Sequence, residues 1–122
     1  MGADPAPLRD RLRTALRTAM KARDAAAVAA LRSALGAIDN AEAVDPAHVA
    51  STAEGPGGLA GTVGLGAGEA TRRTLTEADV ERIVRAEAAD RRAAASEYEG
   101  LGQAERASRL DAEAGVLEAQ LS

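Results

Sequence analysis

The chain has 122 residues, a formal net charge of −4, and no cysteine, phenylalanine or tryptophan. This length indicates one domain, and the missing cysteines exclude disulfides, thiolate metal sites and a cysteine nucleophile. No apolar run approaches the roughly 18 residues of a membrane span, and the first residues lack the basic start and apolar run of a secretory signal. We therefore expect a cytoplasmic protein, and the high alanine content favours an all-α fold.

Two amphipathic patterns follow each other in the first third of the chain. The first predicts a helix over residues 7–23, with an apolar arc opposite a basic side. The second predicts a helix from Asp24 or the next residue to about Glu42, with the Asp24 carboxylate as its N-cap. Because no glycine or proline separates the two patterns, an antiparallel helical hairpin over residues 7–42 is the simplest geometry.

Residues 43–73 differ in composition from the rest of the chain. Pro46, Pro56 and repeated glycines forbid a long helix, and no strand periodicity is present. We interpret the segment as a flexible connector, although a loop this long is sometimes functional. Its glycines are not followed by the Gly-Lys-Ser/Thr of a phosphate-binding loop. The only histidine, His48, has no cysteine or carboxylate cluster beside it, so we predict neither a metal site nor an acid–base pair here.

The second half of the chain, residues 74–122, predicts another pair of helices. Thr76 has the position of an N-cap, and Asp79 completes a capping box three residues later. Leu75 before the cap and Val80 at the fourth helical position form a hydrophobic staple. These local signals define the start of the third helix more clearly than any other helix end in the chain.

The third helix is predicted to end near Glu99, and the fourth to run from about Gln103 to Leu121. The apolar seam of the fourth helix is narrow and fits packing against one neighbour: Ala107, Leu110, Ala114, Leu117 and Leu121. Glu113 and Glu118 are expected on its outer side. The predicted fold is all-α, with two antiparallel helical hairpins, four main helices in total, joined by the long Gly-rich connector.

Glu87 and Arg91 are the most unusual pair of side chains in the third helix. They lie four residues apart inside an otherwise apolar arc, where a buried unpaired charge is costly. One interpretation is an intrahelical salt bridge that also bonds polar groups of the facing hairpin, such as Arg32 or Asn40. The other is a polar recognition site in a groove between the two hairpins, formed by the same four residues.

A row of basic side chains follows one side of the first helix at every fourth residue: Arg9, Arg13, Arg17 and Lys21. Residues 8–32 carry seven basic and two acidic side chains, although the acidic balance of the whole chain argues against strong non-specific binding to nucleic acid. The row is either a solvated helix face or a surface that contacts phosphate. Tyr98 is the only aromatic residue, so an RNA contact would depend on backbone phosphates and shape rather than on base stacking.

Several short segments of the chain form a series: Ala19-Met20-Lys21-Ala22-Arg23-Asp24, Leu31-Arg32, Ala37-Ile38-Asp39-Asn40-Ala41-Glu42, Leu75-Thr76-Glu77, Glu87, Arg91-Arg92 and Tyr98. Together, and in this order, they resemble the GatB/YqeY family, specifically its small stand-alone YqeY-like proteins. The resemblance covers residues 8–42 and 75–121 and implies a multihelical fold. The family usually has Leu, Tyr and Pro where Ala114, Gln120 and Ser122 stand, followed by a second helical subdomain. This chain is therefore similar to the first subdomain alone, with the second YqeY subdomain absent.

The resemblance also implies a function. YqeY-like proteins are related to the tail of the GatB subunit of tRNA-dependent amidotransferase, a region that contacts tRNA. We therefore expect a non-catalytic accessory protein associated with tRNA or the translation machinery. The family label is carbon–nitrogen ligase with glutamine as amido donor, but the amidotransferase active sites lie outside the shared helical region. We accordingly expect no catalytic residue, no cofactor and no metal.

Two other functions stay open, and neither involves a membrane. The chain is alternatively a protein-interaction or self-association module, in which the alanine seam of the fourth helix, uncovered by the missing subdomain, pairs with another chain or a second copy. The third alternative is an enzyme of the amidotransferase type, which glutamine hydrolysis or amide transfer by the isolated chain would support. Phosphate contacts weaken steeply with salt and an apolar seam does not, so salt sensitivity separates the first two functions.

Overall fold

The computed structural model describes residues 6–43 and 74–122. Within these two ranges the chain forms four α-helices and no strand: α1 (Leu8–Ala22), α2 (Ala25–Ala43), α3 (Glu77–Gly100) and α4 (Ala104–Leu121). The predicted all-α fold is confirmed, and the helix bounds agree with the prediction to within one residue. Apart from Ala43, which ends α2, the predicted connector over residues 43–73 lies outside the described residues, as does His48.

The turn between α1 and α2 ends one helix and starts the next within two residues. Arg23 adopts the left-handed conformation, with φ 58°. Its N–H donates to the Met20 carbonyl at 3.2 Å, and the Asp24 N–H donates to the Ala19 carbonyl at 3.0 Å, which is the Schellman pattern. The Asp24 carboxylate then accepts from the Ala27 N–H at 3.1 Å, so the predicted N-cap is confirmed. Such a short turn makes α1 and α2 antiparallel.

The start of α3 has the capping box that the sequence predicts. The Thr76 hydroxyl accepts from the Asp79 N–H at 3.0 Å, and the Asp79 carboxylate accepts from the Thr76 N–H at 3.0 Å. Leu75 packs against the hydrophobic core that contains Val80, as a staple requires. Two backbone donors that would otherwise lack partners are thereby satisfied, which fixes where the helix begins.

The turn between α3 and α4 depends on a glycine. Gly102 has φ 79°, a conformation that costs little only without a Cβ atom. The Gly102 N–H donates to the Glu99 carbonyl at 3.0 Å, and the Gln103 N–H donates to the Tyr98 carbonyl at 2.9 Å. This second Schellman ending joins α3 and α4 as an antiparallel pair, and these two helices have the most extensive packing in the described fold.

The relative direction of the four helices follows from contacts at the start of α1. Three polar contacts, each 2.8 Å long, join α1 to the other helices: the Leu8 N–H to the Glu77 carboxylate of α3, Arg9 Nη2 to Glu42 Oε1 of α2, and Arg11 Nη1 to the Gln120 carbonyl of α4. The starts of α1 and α3 therefore share one end of the bundle with the last turns of α2 and α4. Both short turns lie at the opposite end, which we call the turn end.

The core combines a few large side chains with many alanines. Six large side chains are fully buried: Leu8, Leu12, Leu31, Ile38, Val84 and Leu117. Ala30, Ala34 and Ala114 lie among them with no exposed surface, which lets the helices approach closely. No helix in the described part of the chain is long and apolar enough to cross a membrane.

Most of the apolar seam of α4 is covered within the chain itself, and only Leu110 and Leu121 are half-buried. Ala107, Ala114 and Leu117 are buried, because α4 packs against both α2 and α3. The expectation that this seam is left uncovered and available to a second copy is therefore wrong. Large apolar side chains that are exposed in the described residues are instead Met20 and Leu101, one at each turn of the turn end.

Candidate functional site

Glu87 and Arg91 belong to a cluster of polar side chains that joins α2, α3 and α4. Arg91 Nη1 lies 3.1 Å from Glu87 Oε1, and Arg91 Nε lies 2.9 Å from Glu113 Oε1. The Ser33 hydroxyl donates to Glu87 Oε1 at 2.8 Å. On the other side, Arg109 Nε approaches Glu113 Oε2 at 3.4 Å. We call these five residues the three-helix charge cluster.

The three central side chains of the cluster are largely shielded from water, whereas Ser33 and Arg109 at its edges are exposed. The exposed fractions of the Arg91, Glu87 and Glu113 side chains are 15%, 22% and 11%. Two carboxylates face two guanidinium groups, so the charges cancel and each carboxylate has at least one cationic partner. Such an arrangement offsets the cost of removing these charges from water and fixes the register of α3 against α4. The predicted intrahelical salt bridge is present, and its further partners are Ser33 and Glu113.

Arg32 and Asn40, the other two residues of the predicted polar groove, lie elsewhere. Both side chains are exposed, and neither bonds Glu87 or Arg91 in the described structure. The structure therefore brings together Glu87 and Arg91 but separates them from Arg32 and Asn40. The prediction that Glu113 lies on the outer side of α4 is wrong, because Arg91 draws this carboxylate into the α3–α4 interface.

A shallow cavity of about 240 Å³ lies beside the three-helix charge cluster, near the turn end. Its lining residues are Tyr98, Arg106, Arg109, Leu110 and Glu113. The Arg106 guanidinium lies 5.5 Å from the centre of the Tyr98 ring, so the aromatic face already has a cation over it. The Arg109 guanidinium is paired with the Glu113 carboxylate. The charged groups around this cavity therefore already have partners within the chain. The cavity is a gap between packed side chains.

Arg92, next to Arg91 on α3, forms a second and more exposed contact with α4. Its Nη1 lies 2.9 Å from Asp111 Oδ1, and its Nη2 lies 2.7 Å from Glu118 Oε1. The hydrogen bond from Arg92 lowers the pKa of Glu118, and the hydrogen bonds to Glu118 and Asp111 raise the pKa of Arg92. These side chains are nearly half exposed, so the contact is a surface clamp between α3 and α4 with a smaller effect on stability than a buried pair.

The row of basic side chains on α1 divides into two halves. Arg9 is partly buried, and its Nη2 lies 2.8 Å from Glu42 Oε1 as a close charge pair, although the angle is poor for a hydrogen bond. Arg13 Nη1 lies 3.6 Å from Asp10 Oδ1, with both side chains exposed. The half of the row near the start of α1 is therefore already neutralised by acidic side chains of the same hairpin.

The half of the row near the turn end is not neutralised. Arg17 donates to the Thr14 hydroxyl at 3.3 Å, and Lys21 has no partner among the residues that the structure describes. Arg23 in the turn and Arg32 on α2 are also exposed and without a partner in the part of the chain that the structure describes. Every other basic side chain in that part contacts a carboxylate, a carbonyl or an aromatic ring.

The two hairpins carry opposite charge. Residues 6–43 include seven basic and four acidic side chains, whereas residues 74–122 include six basic and eleven acidic ones. The net charge of −4 therefore conceals a basic first hairpin and an acidic second hairpin. A polyanion would approach the first hairpin and be repelled by the second.

No three histidine, cysteine, aspartate or glutamate side chains among the described residues are grouped so that they could hold a metal ion. In comparisons with protein-family models, with curated proteins and with solved structures, no match to this chain was found. The resemblance to the GatB/YqeY family, and the tRNA association that it implies, therefore stays a prediction.

Proposed function

We propose that the chain is a non-catalytic helical accessory module that binds the phosphate backbone of RNA through its first hairpin. The observation that carries the proposal is the state of the basic row on α1. Among the described residues, Arg17 and Lys21 have no carboxylate partner, whereas Arg9 and Arg13 are paired with Glu42 and Asp10. Cations that form no internal ion pair can bind a phosphate without first breaking an ion pair.

The near absence of aromatic side chains limits how the chain could recognise RNA. Tyr98 is the only aromatic residue of the chain, and Arg106 covers one face of its ring. Base stacking, which proteins use to hold unpaired bases, therefore contributes little. Contacts between basic side chains and phosphates carry little sequence information and depend on salt. We accordingly propose a binder of the RNA backbone, with tRNA as the first candidate because the resemblance to YqeY-like proteins points to it.

Two alternatives receive less support. Self-association through the seam of α4 is less well supported, because Ala114 and Leu117 are buried inside the chain and are not available to a second copy. A second copy would have to use another surface, such as the acidic second hairpin against the basic first one. A carbon–nitrogen ligase activity is suggested by the family resemblance alone. A shared fold does not by itself imply a shared activity.

The proposal is tested by reversing two charges on α1. The variant Arg17→Glu/Lys21→Glu is expected to bind total tRNA at least about 25-fold more weakly at about 0.1 M salt, because each lost phosphate contact removes roughly five- to eightfold in affinity under these conditions. Fluorescence anisotropy with labelled tRNA measures the change in affinity, and circular dichroism checks that the variant stays helical.

The matched control is Arg82→Glu/Arg85→Glu, which makes the same change in net charge on the exposed side of α3. We expect this control to bind tRNA nearly as well as the unaltered chain. An equal loss of affinity in both double variants would show that only the total charge matters. Unchanged binding by the α1 variant would exclude this helix as the RNA-binding surface.

A further inference from the structure

We infer that Arg32 of α2 belongs to the same phosphate-binding surface as Arg17 and Lys21 of α1. In this arrangement the RNA backbone lies across both helices of the first hairpin instead of following α1 alone. The inference deepens the proposed function and depends on it. Arg32 is exposed and has no partner in residues 6–43 and 74–122, and it does not contact the Glu87–Arg91 pair with which the sequence analysis grouped it.

The antiparallel pairing of the first hairpin places Arg32 level with the middle of α1. Arg9 meets Glu42 at one end of the hairpin, and the turn at Arg23 and Asp24 closes the other end. Both helices rise by about 1.5 Å per residue. Counting from either end puts Arg32 beside positions 15–19 of α1, the stretch that contains Arg17.

The helical period also settles which side of α2 Arg32 occupies. Successive residues of a helix are separated by about 100°. Ser33 is turned toward α3, where its hydroxyl donates to Glu87 at 2.8 Å. Arg32, one residue earlier, therefore lies on the other flank of the exposed face of α2, toward α1. Glu42 confirms the direction, since it contacts Arg9 of α1 and lies about 80° from Arg32 on the same helix.

The composition of this surface favours phosphate over other partners. The acidic residues Asp10, Asp39 and Glu42 lie toward the opposite end of the hairpin, and the carboxylate of Asp24 is used to cap α2. The only large apolar side chain exposed here, among the described residues, is Met20. One apolar side chain is far too little for a protein interface or an apolar docking patch, so charge is the main attraction.

The test compares single variants of the full chain in tRNA binding at two salt concentrations. Arg32→Gln and Arg17→Gln are each expected to lower the affinity by roughly five- to eightfold at about 0.1 M salt, and to reduce the slope of log K against log salt by about 1. Arg32→Glu should bind more weakly still. Arg85→Gln is the control and should leave both quantities unchanged.

The failures of the inference and of the proposed function are distinguishable. If Arg17→Gln weakens binding and Arg32→Gln does not, the RNA follows α1 alone and the inference is overturned. If neither variant weakens binding, the proposed function itself is overturned. Because Arg32 is exposed and forms no hydrogen bond or ion pair with another described residue, circular dichroism should show unchanged helicity for its variants. A loss of helicity in Arg32→Gln would itself contradict the exposed, unpaired position on which the inference rests.

Discussion

Replacement of Arg91 with alanine is expected to destabilise the fold by about 3 kcal/mol, because breaking a buried ion pair leaves charges without compensation. Arg91 contacts Glu87 and Glu113, and both carboxylates have limited access to water. After the substitution Glu87 keeps only the Ser33 hydroxyl, and Glu113 keeps only the longer contact with Arg109. Urea unfolding monitored by circular dichroism measures the difference in the free energy of unfolding.

Arg92→Ala is the matched control for this prediction. Arg92 neighbours Arg91 on the same helix and also contacts two carboxylates of α4, but its side chain is nearly half exposed. We expect a clearly smaller loss of stability, since water solvates the carboxylates that it leaves behind. A double variant, Arg91→Met/Glu113→Met, should recover only the part of the loss that comes from Glu113, because Glu87 still lacks its cation. Equal losses for Arg91→Ala and Arg92→Ala would contradict the burial of the three-helix charge cluster.

Leu31→Ala is expected to destabilise the fold by about 3 kcal/mol, which lies within the usual range for truncating a buried leucine. Leu31 is fully buried, and its neighbours along the buried face of α2 are the small residues Ala30 and Ala34. Alanines have no side-chain length with which to fill the resulting cavity, so little relaxation is expected. The loss is a large fraction of the total stability of a small domain. Thermal and urea unfolding both measure it.

The control for Leu31 is Leu101→Ala in the turn between α3 and α4. The Leu101 side chain is 71% exposed, so its truncation should change the free energy of unfolding by no more than about 0.5 kcal/mol. A loss at Leu101 as large as that at Leu31 would mean that the turn end is covered in solution, for example by a second copy of the chain. A small loss at Leu31 would mean that the alanine-rich core adapts more than close packing allows.

The helix ends could be predicted because their signals are local. Thr76 with Asp79 and the Asp24 N-cap each act within three residues, so no knowledge of the tertiary fold is needed. Gly102 has φ 79°, a conformation that glycine adopts at little cost, so this helix end also depends on a single residue. The all-α fold could also be predicted, because it follows from helix propensity and from periodicity over whole segments.

The partners of the charged side chains could not be predicted in the same way. Arg91 meets Glu113 across 22 positions of sequence, and this pairing depends on the register of α3 against α4. The helical period places Glu113 beside the edge of the α4 seam, but periodicity alone does not tell an edge residue from an outer one. Arg9 illustrates the same limit, because its contact with Glu42 spans the hairpin and removes it from the basic row.

The measurement that tests the central claim most directly is the salt dependence of tRNA binding by the unaltered chain. If Arg17, Lys21 and Arg32 all contact phosphate, log K should fall linearly with log salt with a slope of about −2.5. Binding that is independent of salt would point to an apolar interface instead, and the absence of binding at low salt would contradict the claim that the first hairpin recognises an RNA backbone.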